Sequence, residues 1–155
     1  MATGDVVVFD EAKAKMLDGD WAATDAFYLA IVGNGTVPTA AFATPTWSDF
    51  SAQEVTSAGT YVTNGTSLGD NASPQVHTLA ALVTEAAGVM TFDSGTNPTW
   101  AQDASNATDA YWGIVYNFTD AAQDCLCFVE LGGPVDMAAG ALTVTWNASG
   151  LYTIT

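Results

Sequence analysis

Apolar positions in this chain fall mostly into short runs parted by Gly, Asn, Asp and Pro clusters, a spacing that suits strands. The clearest run, Ala26-Phe27-Tyr28-Leu29-Ala30-Ile31-Val32, is nearly continuous and closes at Gly33-Asn34-Gly35, which predicts a strand covered on both faces. Gly88 to Phe92 alternates and stops at Asp93-Ser94-Gly95, while Ala110 to Tyr116 and Cys125 to Leu131 read as two further strands. Tyr61 to Leu68 alternates loosely around Asn64-Gly65, and Val76 to Val83 fits strand or helix. Ala141 to Trp146 and Leu151 to Thr155 flank Asn147-Ala148-Ser149-Gly150 and predict a terminal hairpin. One segment stands out by its helical spacing, with Phe9, Ala12, Met16 and Leu17 near one face and Gly19 as terminator. Asp10 and Glu11 suit its first turn, and Lys13 and Lys15 lie nearer its carbonyl end. Val6-Val7-Val8 before it reads equally as a first strand or as part of an N-terminal arm spanning residues 1–8.

About seven or eight short strands and one short N-terminal helix predict a mainly β protein. The expected form is one domain over residues 1–155, an antiparallel β-sandwich or a partly closed barrel. The length supports this, since size scaling gives roughly 7,400 Å² of folded surface against about 23,000 Å² unfolded, so about 68% is buried.

Charge narrows the function classes. Lys+Arg number 2 and Asp+Glu 17, for a formal net charge of −15, and both cations are lysines. Such a chain repels nucleic-acid phosphate and anionic lipid, and within itself it cannot build an arginine clamp. Neither nucleic acid nor membrane is therefore an expected partner. Spread over the folded surface, the net charges stand roughly 22 Å apart, well beyond the Debye length of about 8 Å at physiological salt. With 49% hydrophobic and only 12% charged residues, the solvated loops must be built from Thr, Ser, Asn, Gly and Ala. No run reaches the length of a membrane span, and Met1-Ala2-Thr3-Gly4-Asp5 lacks a basic leader region, so synthesis in a cytosol is expected. The sequons Asn34-Gly35-Thr36 and Asn147-Ala148-Ser149 then reflect composition. Cys125 and Cys127 share a strand face, where a bridge between them would be strained; buried thiols are expected, with an intermolecular disulfide or a metal site as alternatives.

The chain offers little catalytic chemistry. His77 is the only imidazole, nothing in its spacing pairs it with a nucleophile, and there is no strand-turn-helix Gly-x-Ser-x-Gly element. Seventeen acids permit a carboxylate pair of the glycosidase type, but a small chain has little room for the groove. Asp18-Gly19-Asp20 and Asp93-Ser94-Gly95-Thr96-Asn97 offer oxygen ligands without completing an EF-hand loop. The expectation is a non-enzymatic protein without cofactor or metal. Trp112 and Trp146 lie in strands and read as core, whereas Trp47 and Trp100 follow Pro-Thr in loops and are the aromatic candidates for a contact surface.

The order of segments supplies a further clue. Ala14-Lys15-Met16-Leu17-Asp18-Gly19-Asp20 precedes the apolar strand Ala26 to Val32, and Gln53-Glu54-Val55 leads into a Gly/Tyr/Gly-rich stretch ending at Leu68. Phe92-Asp93 leads to Pro98-Thr99-Trp100, then come the core strand Tyr111 to Tyr116, Phe128-Val129-Glu130-Leu131-Gly132-Gly133 and Trp146-Asn147-Ala148-Ser149-Gly150-Leu151. This succession resembles a family of small tailed-bacteriophage virion structural proteins over nearly the whole chain. It departs at Gly59-Thr60-Tyr61, where the family pattern has adjacent Gly and Tyr. The resemblance implies a β-sandwich virion component, made in the host cytoplasm, with a capsid decoration (cement) role on the outside of the head shell. Its partners would be the major capsid protein and copies of itself. A tail- or fibre-associated receptor- or glycan-binding module is the alternative, and an acidic-pair glycoside hydrolase a remote one. Val6, Val7, Val8 and Phe9 are expected to reach a neighbouring subunit as an added strand, with Trp47 and Trp100 as further contacts.

Overall fold

In the computed structural model, which describes residues 2–154 except 57, 64, 65, 68–81, 95 and 96, the apolar runs become strands and the Phe9–Leu17 pattern a helix. The order is β1 (Val6–Val8), α1 (Asp10–Asp18), β2 (Phe27–Val32), α2 (Trp47–Phe50), β3 (Thr66–Ser67), β4 (Val83–Ala86) and β5 (Val89–Phe92). Then come β6 (Thr99–Trp100), β7 (Ala110–Asn117), β8 (Cys125–Val135), β9 (Leu142–Thr143) and β10 (Tyr152–Ile154). The fold is mainly β and antiparallel, and its sheets do not close into a barrel; it is sandwich-like. Total surface is 7181 Å², close to the size-scaling expectation.

Five strands in the order β1-β8-β7-β2-β3 form the main sheet. All six residues of β2 are buried, as its unbroken apolar run predicts. Register sorts the faces: Tyr28, Ala30 and Val32 pair with Tyr116, Ile114 and Trp112, while Phe27, Leu29 and Ile31 pair with Asn117, Val115 and Gly113. The first face is covered by the connection after β2. Trp47 stacks on Tyr116 with ring centroids 4.7 Å apart, and Phe50 meets Phe9, which lies 5.1 Å from Phe128. The second face is covered by the small sheet β10-β5-β4. Phe92 packs edge-on to Phe27 at 5.3 Å, Tyr152 stacks on Phe92, and Trp21 closes the other side of Phe27 at 5.1 Å. Glycine at 113 is required by this packing, because a Cβ there would lie 2.7 Å from Val129 Cγ1 and 2.9 Å from Leu29 Cδ1.

Several expectations change. The helix begins one residue late, with Phe9 as N-cap, and stops as predicted at Gly19, whose φ of 77° lets its N–H reach the Lys15 carbonyl. A second helical turn, α2, was not foreseen in the Pro/Trp-containing connection. Its signal was present: Asp49 accepts the Thr46 N–H at 2.9 Å, half of the capping-box exchange that Thr-x-x-Asp permits. The terminal hairpin does not form. The Asn147–Gly150 turn is made, with the Gly150 N–H on the Asn147 carbonyl at 2.9 Å, but its two arms part. β9 pairs with β6, and β10 pairs with β5, and both Leu142 and Leu151 are buried in these separate pairings. Among the described residues of the stretch Tyr61 to Leu68, only Thr66–Ser67 is strand, beside β2. Most of Val76 to Val83, including His77, lies outside the described residues, and Val83 opens β4.

The two glycines 113 and 140 give a matched test of this packing. Gly113→Ala should destabilise by about 1–3 kcal/mol through overpacking. Gly140→Ala, where a Cβ has nothing within 4 Å, should be neutral or mildly stabilising. Urea unfolding followed by tryptophan fluorescence would show a lower midpoint for the first alone, with an unchanged slope.

Candidate functional site

The predicted contact residues do not gather into one patch. Val6, Val7 and Val8 form the domain's own edge strand, opposite Val129, Phe128 and Cys127. Of the two readings for this segment, first strand or arm, the strand is the one formed, because the three valines find apolar cover on the domain itself. Phe9 is fully buried between Phe50 and Phe128 and is not a contact residue. Trp47 and Trp100 are 4% and 5% exposed, so neither offers a ring to a partner or a sugar. Loop composition misled here, because a Pro-Thr-Trp loop can fold inward when its ring meets an aromatic neighbour, Tyr116 for Trp47 and Tyr61 for Trp100. The glycan-binding alternative loses both of its named anchors. The exposed ring is Phe118, stacked on Tyr28 at 4.2 Å and 40% accessible, a residue the strand pattern did not single out.

Polar side chains inside the fold serve the backbone. Tyr61 is the clearest: its hydroxyl accepts the Ile31 N–H at 3.0 Å and donates to Glu54 Oε1 at 2.8 Å. It fills the gap along β2 between the Val55 N–H bond to the Ile31 carbonyl and the β3 pairing at Leu29. Burial and the Glu54 carboxylate push this phenol far above the ordinary tyrosine range. Asn106, buried in the loop after β6, donates from Nδ2 to the Ala101 carbonyl and accepts the Thr60 N–H, both at 3.0 Å. Asn117 donates to Asp25 Oδ2 at 2.8 Å and accepts the N–H groups of Thr119 and Asp120. Each is a satisfied buried polar group, the condition under which burial is tolerated.

Charge is arranged unevenly. Only Asp25 and Asp124 are buried among the described acidic residues. Lys15 spans Asp124 at 3.1 Å and Asp20 at 3.4 Å, tying α1 to the start of β8, and the Asp124 hydrogen bond leads in raising its ammonium above the ordinary value. Lys13 pairs with Asp10 at 2.8 Å on the exposed helix face. Asp20, one of the oxygen-rich loop candidates for a cation, is thus turned towards Lys15, and Asp93 accepts the Ser94 N–H. Among the described residues, no three His, Cys, Asp or Glu side chains come together as a metal site would require. Cys125 and Cys127 are free, buried thiols; burial raises both well above the usual thiol range, and they sit too deep for a bridge to another copy in this fold.

Among the hollows lined by described residues are two on the surface. One is polar, lined by Gln53, Glu54, Thr56, Asn106, Thr108 and Asp109. The other, about 450 Å³, lies between Gly4, Asp5 and Val6 on one side and Ser149, Leu151 and Thr153 on the other, where the edges of the two sheets approach. No family model, curated protein or solved structure matches the chain. No helix among the described residues is long and apolar enough to cross a membrane.

Tyr61→Phe should therefore cost about 1–3 kcal/mol, because the buried Ile31 amide loses its acceptor. Hydrogen exchange at Ile31 should accelerate more than at Ala30. Alkali should unfold the protein as well. The Tyr61, Tyr116 and Tyr152 phenols and both thiols hold their protons more tightly folded than unfolded. Their contribution is full below the ordinary values, 9.0 for a thiol and 10.0 for a phenol, and declines as pH climbs past them. Denaturant midpoints should fall above that range, and thiol-reagent labelling of Cys125 and Cys127 should track unfolding; rapid labelling of the native protein would contradict the burial argument.

Proposed function

We propose that this protein is a non-enzymatic structural component of a tailed-bacteriophage particle, a decoration (cement) protein that binds the outside of the head shell. The observation that carries this reading is the succession of segments resembling small phage virion proteins. The observed fold is compatible, since it arranges that succession as a sandwich-like body. The chemistry of the surface is in keeping with the role. Aromatic residues other than Phe118 are drawn inward, and the loops present Thr, Ala, Gly and Asn, which lose little side-chain entropy on docking. The net charge of −15 disfavours the nucleic acid that a shell encloses, an example of specificity by repulsion. Its partners would be the major capsid protein and further copies of itself, and its location the virion.

Shells stripped of the protein should rebind it saturably at physiological salt, and imaging should place it on the outer surface. Because like charges on neighbouring copies need screening, retention should weaken as ionic strength is lowered. Absence of binding at physiological salt, or tighter retention at low salt, would count against the reading.

A further inference from the structure

We propose that the cleft between β1 and β10 takes up an extended, lysine- or arginine-rich segment of a partner protein, which adds as a strand to the free edge of β1. The cleft is argued from geometry and charge alone; the shell-binding reading enters only in assigning the segment to a shell protein.

The hydrogen-bond register decides which way β1 faces. Phe9 donates to the Leu126 carbonyl at 3.0 Å, and residues of β1 pair antiparallel with β8 in the same register, Val7 opposite Phe128. Antiparallel pairs alternate between bonded and non-bonded, so Val7 exchanges bonds with β8 while the N–H and C=O groups of Val6 and Val8 point away from it. β1 is the outermost strand of its sheet, and β10 is the outermost strand of the other. Both line the same cleft, whose volume of about 450 Å³ lies in the range of peptide- and ligand-sized sites. Gly4 stands at its wall, and a Cβ there would have nothing within 4 Å, so a second backbone can approach on that side without meeting bulk. Strand addition uses these features: main-chain bonds supply affinity, and side chains on alternate positions set the register.

Charge selects the occupant. Among the described residues, Asp5 is the one charged residue that lines the cleft, and no lysine lies on the wall. Lys13 and Lys15 are both engaged with the chain's own carboxylates. A segment of a second copy would bring further negative charge to a protein already at −15, whereas a cationic segment is steered in and held.

The test uses the full-length protein and three capped peptides: one alternating Lys or Thr with Val, the same with Glu replacing Lys, and the first with alternate backbone nitrogens methylated. The basic peptide should bind and slow amide exchange at Val6 and Val8. Loss of one docking hydrogen bond in Val6→Pro should weaken it about tenfold, and the methylated peptide, which lacks the donors to both Val6 and Val8, should be weakened further. Proline is compatible with this position because its missing N–H faces away from the ladder. Ser149→Lys, at an exposed rim position, should weaken binding by repulsion and keeps the test open if Val6→Pro fails to fold. The proposal is overturned if no peptide binds, if the Glu peptide binds equally, or if methylation and both variants leave affinity unchanged. It is also overturned if sedimentation shows a dimer that Val6→Pro disperses, since the occupant is then a second copy. Stripped shells separate the two readings. If Ser149→Lys and the wild type bind shells equally, the cleft assignment falls and the cement reading stands; if the peptide binds and shells do not, the reverse holds.

Discussion

A sheet buried on both faces governs this molecule. β2 exposes none of its six side chains, and β7 and the first half of β8 are nearly as dry, so each face must be roofed by something else in a chain of 155 residues. One roof is the connection from β2 through α2, where Trp47 and Phe50 lie on Tyr116 and Phe9. The other is the small sheet β10-β5-β4 with Trp21 at its side. Burying aromatic rings of this size contributes several kcal/mol each relative to truncation, which explains why loop tryptophans are spent inside and not displayed.

Roofing both faces leaves the sheet edges to be managed. The β2 edge is closed by improvised means: the Gln53–Val55 stretch bonds to Ile31 and Gly33, the short β3 covers Tyr28 and Leu29, and the Tyr61 hydroxyl serves the Ile31 amide. Unpaired amides in such a place cost more than any single side-chain bond gives back, so a buried phenol is retained there. The β1 edge is treated differently. It is short, flanked by Asp5 and left outward, an arrangement that limits indiscriminate pairing while keeping backbone groups accessible.

Acidity and packing meet at Lys15. Its ammonium spans Asp20 and the mostly buried Asp124, joining α1 to the start of β8, so one of the chain's two cations is used to hold the helix on the body. The remaining carboxylates among the described residues are largely outward. A surface of this kind is governed by salt, because screening sets whether copies can approach one another and whether a cationic partner is drawn in.

Local pattern was enough to mark β2, β5, β7, β8 and α1, since a continuous apolar run, an alternation or a helical spacing with a glycine stop each has one low-energy backbone. The mainly β class followed from those elements, and net charge by itself disfavoured nucleic acid and anionic lipid as partners. What remained hidden depended on contacts between distant segments. Asn147–Gly150 encodes a turn, but whether its arms pair with each other is decided by competition with β5 and β6, which a local window does not contain. Trp47 and Trp100 have loop neighbours in sequence and core neighbours in space, because Tyr116 and Tyr61 are brought to them only when the sheet forms. The three valines of β1 were compatible with an arm or a strand, and β8 settled the choice by offering three residues in register. Local conformation is a property of the sequence window; burial and edge exposure belong to the assembled layers, and those decided which residues this protein can present.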